Sequence, residues 1–73
     1  MKLGENVRVR RVRLGLSGKQ LAEQVGVTEP MISHIERGLK MPSVAVCVAL
    51  AHALECTLDD LVLGSQPVEG GAE

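Results

Sequence analysis

Apolar residues recur along this chain at intervals of three and four, the spacing that lines one face of an α-helix, and nowhere do they alternate with polar residues as a half-buried strand requires. Five helices follow from where the pattern starts and stops. The first covers about residues 5–14, turns Val7 and Leu14 toward the core, and is stopped by Gly15. The second is opened by Ser17, with Gln20 three residues later completing a capping box, and is closed by Gly26. The third is opened by Thr28 and closed by Gly38. The fourth starts at Ser43, just after Pro42, and runs to about Leu54, with Val44, Cys47, Val48, Ala51 and Leu54 at helical spacing. The fifth is short: Thr57 and Asp60 form a second capping box, Leu58, Leu61 and Val62 bury, and Gly64 ends it. Residues 65–73 carry Pro and Gly with too little apolar surface to order themselves, so a frayed tail is expected there. Position 55 breaks the local rules, because the turn after the fourth helix calls for a left-handed residue and holds Glu55 instead of glycine.

The second and third helices are the most informative pair. Leu21, Val25, Ile32 and Ile35 supply an apolar spine between them, and small Ala22 lets the third helix cross close above the second. Two short helices joined by a glycine turn make a helix-turn-helix over residues 18–37, whose second helix is the one offered to the DNA major groove.

Charge changes the picture more than composition does. The net charge of −1 argues against a nucleic-acid partner until it is divided along the chain. All eight basic residues lie in residues 1–40 beside four acids, giving +4, whereas residues 41–73 hold five acids and no Lys or Arg, giving −5. The basic end coincides with the helix-turn-helix, and local charge is what steers a protein to phosphate. Seventy-three residues make one domain, whose core must be built without Phe, Tyr or Trp. That absence also argues against single-strand or RNA readers that stack bases on aromatic platforms. No apolar run is long enough to span a membrane, and Met-Lys-Leu-Gly-Glu is no signal peptide, so a cytoplasmic protein is expected. Cys47 and Cys56 have no metal-ligand spacing with each other or with His34 and His52, and read as small buried hydrophobes. No catalytic arrangement, cofactor motif, metal site or small-molecule ligand site emerges, and an enzyme is not expected.

Leu-Ser-Gly-Lys-Gln-Leu-Ala at 16–22, Val-Gly-Val-Thr at 25–28, Ile-Ser-His-Ile-Glu-Arg-Gly at 32–38, Pro-Ser at 42–43 and Leu-Asp-Asp-Leu at 58–61 together resemble the Cro/repressor-type helix-turn-helix family. The resemblance covers residues 4–64. It implies an all-α, compact five-helix bundle of the lambda-repressor-like kind, and a dimeric transcriptional regulator that reads an inverted repeat in double-stranded DNA. It places base-reading side chains at Thr28, Glu29, Pro30 and His34, with Met31 and Ser33 near by. Backbone contacts fall to Ser17, Gly18 and Lys19 at the start of the second helix and to Arg37 and Lys40 after the third. Arg11 and Glu36 match a pair that, in similar proteins, joins the first helix to the third and fixes the angle of the reading helix. Gly18 departs from the amide side chain frequent there, leaving only its backbone N–H to meet phosphate.

Several of these residues keep two readings. Glu29 either accepts a hydrogen bond from a cytosine amino group or complements the helix dipole. Pro30 fits the first helical turn at no hydrogen-bond cost and has a ring able to lie on a thymine methyl. His34 is a solvated surface histidine or a base or phosphate contact; Arg8, Arg10 and Arg13 divide between solvated face and backbone contact. One reading helix serves roughly 4–6 base pairs, too few for useful specificity, so a homodimer with half-sites about 34 Å apart is expected. Leu39, Met41, Leu61 and Leu63 are the candidates for its apolar contact. The alternative is an antitoxin-like protein-interaction module that keeps the fold and binds a partner through its acidic end without reading DNA.

Overall fold

The punctuation read from the sequence builds five helices in the computed structural model, which describes residues 2–63: α1 Leu3–Arg13, α2 Gly18–Val25, α3 Glu29–Glu36, α4 Val44–Ala53 and α5 Leu58–Leu63. Side-chain caps start four of them. The Ser17 hydroxyl accepts from the Gln20 N–H at 3.0 Å while the Gln20 side chain accepts from the Ser17 N–H at 2.8 Å. Thr57 and Asp60 exchange the same pair of bonds before α5, at 3.0 and 3.1 Å. Thr28 caps α3 through Met31 N–H at 3.3 Å, and Ser43 caps α4 through Val46 N–H at 3.2 Å. α1 has no side-chain cap. It begins two residues earlier than expected, because buried Leu3 anchors its first turn in the core.

α2 ends at Gly26, whose φ of 88° lets its N–H return to the Ala22 carbonyl at 2.8 Å. α4 is followed by the exception anticipated at Glu55, held at φ 59° in the left-handed region. The proposed tail, and Gly64 as the stop of α5, lie outside the described residues.

The principal packing contacts close a ring: α1 meets α3 and α5, α3 meets α2, α2 meets α4, and α4 meets α5. Every helix buries at least one large side chain completely, Val7, Leu21, Ile32, Leu50 and Leu61 in chain order, and α3 adds Ile35. Ala22, Ala51 and Leu54 fill between them. The Asn6 amide adds a polar tie that the sequence did not announce, donating to the Leu61 carbonyl at 2.7 Å and joining α1 to α5.

Five apolar assignments change. Leu14 is exposed because it sits past the last turn of α1, where the chain bends away at Gly15. Val44 and Val48 are exposed because the inward stripe of α4 is Cys47, Leu50, Ala51 and Leu54, the positions facing α2 and α5. Leu58 and Val62 flank buried Leu61 and remain more than a third exposed. Leu61 therefore belongs to the core and is withdrawn from the apolar contact surface, which keeps Leu39, Met41 and Leu63 at 65%, 62% and 74% exposure. Cys47 and Cys56 are free thiols, half-buried against the core, and burial pushes both above the ordinary thiol range.

Candidate nucleic-acid interface

The short turn after Gly26 delivers Thr28 in an extended conformation, so that α3 starts at the surface. Thr28, Glu29, Pro30 and His34 are exposed, Met31 and Ser33 are half-buried, and Ile32 and Ile35 bury the opposite face. Pro30 occupies the first turn, where a missing N–H leaves no helical bond unmade. The Thr28 hydroxyl is committed to its cap but keeps its own proton free to donate.

Beside this surface lies a cleft of about 350 Å³ between α1, the start of α2 and α3. It gathers Gly18, Glu29, Ser33, Arg37, Arg11 and Glu36, together with Ile32 and Arg8. Arg8, which the sequence left divided between solvated face and backbone contact, is brought into the cleft by the packing of α1 along α3. Ser17, Lys19, Thr28, Pro30, Met31, His34 and Lys40 do not line the cleft, although all but Met31 are exposed. A methyl group at position 18 would stand 3.7 Å from the Glu29 carboxylate, an ordinary contact distance.

Arg11 and Glu36 close the inner wall. Arg11 Nε donates to Glu36 Oε2 at 2.6 Å and Nη2 to Oε1 at 3.2 Å, while Nη1 donates to the Leu16 carbonyl at 2.9 Å. The two side chains are only 17% and 9% exposed, so this bidentate pair sits partly out of water. The hydrogen bond to Glu36 holds the Arg11 guanidinium above its ordinary pKa, against the opposing effect of burial. No buried side-chain polar atom lacks a partner among the described residues, and no cluster there could hold a metal ion. No helix among them is long and apolar enough to cross a membrane. The arrangement offers what phosphate and base edges require: a solvent-facing helix start, and guanidinium groups with donors to spare.

The helix-turn-helix family profile matches residues 7–61. An uncharacterized HTH-type transcriptional regulator of Mycobacterium tuberculosis is 40% identical over 58 residues, which is 80% of this chain and 41% of that protein. Repressor protein C2 of Salmonella phage P22 is 37% identical over 62 residues, 85% of this chain and 29% of the repressor. This chain thus spans less than half the length of these curated relatives. The crystal structure of the P22 c2 repressor in complex with a synthetic operator superposes with a TM-score of 0.85 at 35% identity, covering 89% of this chain and 98% of that one.

Proposed function

The chain belongs to the helix-turn-helix family, and from that premise we propose that it is a sequence-specific transcriptional regulator that reads double-stranded DNA through the exposed face of α3. The observation that carries the proposal is the coincidence of two features. The polar start of α3 is free to solvent, and the basic side chains Arg8, Lys19, Arg37 and Lys40 lie on the elements around it. The P22 repressor's capture on an operator supports a duplex as the partner. Thr28, Glu29, Pro30 and His34 meet base edges, with Met31 and Ser33 behind them. Ser17, Gly18, Lys19, Arg37 and Lys40 meet the sugar–phosphate backbone.

Two copies act together, because one α3 spans too few base pairs to pick a site from a genome. Leu39, Met41 and Leu63, the large apolar side chains left in water on the α3–α4 segment and at the end of α5, supply the contact. Sedimentation of Leu63→Glu and Met41→Glu tests this. Both weaken self-association; unchanged self-association in both rejects this surface.

The experiment for the function is titration of a labelled duplex at several salt concentrations. Affinity falls steeply as salt rises, and Arg37→Ala and Lys40→Ala each reduce the slope by about one ion. Negligible affinity at every salt concentration contradicts the proposal and favours a protein partner on the acidic end, where Glu55 and Asp59 are exposed.

A further inference from the structure

Among the described glycines, Gly4 has the least room for a side chain. An ideal Cβ at that position would stand 2.2 Å from the Ile35 carbonyl oxygen, 2.7 Å from the Glu36 carbonyl oxygen and 2.9 Å from the Glu36 carbonyl carbon. All three are main-chain atoms, which have no rotamer by which to move aside. The first turn of α1 therefore rests directly on the last turn of α3. Seven residues on, along the same face of α1, Arg11 holds the Glu36 side chain. Val7 lies between them, fully buried. The end of α3 is thus held twice, by main chain at Gly4 and by side chain at Arg11.

The two holds differ in stiffness. Long side chains absorb a displacement on the order of 1 Å by small torsional adjustments, whereas a hard-sphere contact between backbones does not. Resting on the duplex-reading function proposed above, we infer that Gly4 is a positioning residue: its contact with the Ile35–Glu36 backbone sets the tilt of α3 on α1, and the Arg11–Glu36 pair reinforces a geometry already fixed. The tilt matters because Arg8 of α1 and Glu29, Ser33 and Arg37 on and beside α3 line one cleft. A methyl group at position 4 has to push the helices apart by about 1 Å to reach a permitted distance. That spreads the phosphate-gripping and base-reading groups relative to one another.

Two readouts test the inference. Residual dipolar couplings on the free protein report the orientation of α3 without DNA. The ratio of affinity for a selected duplex to that for a random duplex reports selectivity. In Gly4→Ala, the α3 couplings change while those of α2 and α4 keep their relative orientation, and the selectivity ratio falls about tenfold or more, the size of one lost base contact. Val7→Ala, which opens a cavity in the core without the backbone clash, keeps the ratio within about twofold. The double variant Arg11→Gln, Glu36→Gln also keeps its α3 couplings and its ratio, and provides the decision if Gly4→Ala does not fold. Unchanged couplings in folded Gly4→Ala, or a collapsed ratio in the double variant, overturns the positioning role. Wild-type protein with no selectivity for any duplex overturns the function instead, and the couplings still decide whether Gly4 sets the tilt.

Discussion

Removing the Arg11 guanidinium is the most informative single perturbation of stability. Arg11→Met keeps the aliphatic stem and deletes three hydrogen bonds, two to Glu36 and one to the Leu16 carbonyl. It also strands a carboxylate that is only 9% exposed. Breaking a fully buried pair costs about 3–5 kcal/mol, and an exposed pair is worth about 0–1 kcal/mol. With side chains at 17% and 9% exposure, the lower end of the buried range applies, about 3 kcal/mol. A domain of this size has on the order of 5 kcal/mol in total, so the variant loses more than half its stability and roughly 12–24 °C in Tm. Glu36→Leu alone costs less, because the longer Arg11 side chain can swing to water. The double variant Arg11→Met, Glu36→Leu recovers much of the loss by replacing the pair with packed apolar groups. Without Trp or Tyr, urea unfolding is followed by far-UV circular dichroism, and the four chains form a double-mutant cycle. A coupling energy of about 2 kcal/mol that persists at high salt is expected, since a partly buried pair is poorly screened. A coupling below about 0.5 kcal/mol would show that the pair behaves as a solvated surface contact.

Three further outcomes follow from burial and backbone geometry. Leu61→Ala costs about 2–5 kcal/mol, whereas Leu63→Ala, two residues away and 74% exposed, stays within about 0.5 kcal/mol; similar urea midpoints for the two would place Leu61 outside the core. Glu55→Gly relieves a left-handed residue at φ 59° and raises stability by about 0.5–1 kcal/mol, read from the same unfolding curves, and a loss would mean the Glu55 side chain offsets the strain. Burial raises both thiols above the ordinary value of 9.0 in the folded chain. The unfolded thiols therefore ionise first as pH rises: their contribution is fully present below about pH 9 and is lost as pH climbs through the higher folded values. Cys47→Ala with Cys56→Ala flattens this alkaline loss in unfolding experiments, and an unchanged pH profile would remove the thiols as its source.

The architecture was legible because local signals and global packing agree. Serine and threonine caps, a left-handed turn at Gly26, the spacing of four between Leu21 and Val25 and the spacing of three between Ile32 and Ile35 all specify the same helices. What the sequence left out depends on partners distant along the chain. The early start of α1 has no capping residue to mark it and rests on Leu3 reaching the core. Gly4 looks like an unfavourable residue inside a helix until the end of α3 is seen against it. Val44 and Leu58 share helical spacing with core residues, yet each begins its helix and faces water. α4 carries no charged residue to mark its outer face, so periodicity alone could not orient it. At the interface, the solvent-facing start of α3 was readable from Thr28, Glu29 and Pro30, while the presence of Arg8 in the cleft required the packing of α1 along α3.

Selection of bound duplexes from a random pool, carried out in parallel with wild-type protein, Glu29→Gln and His34→Ala, probes the role of α3 at the level of individual bases. Wild type should enrich one half-site repeated with inverted symmetry about one DNA turn apart, and each substitution should relax preference at one or two adjacent positions while leaving the spacing intact. No enriched half-site with wild type, or the same motif from all three proteins, would contradict base reading by the exposed face of α3.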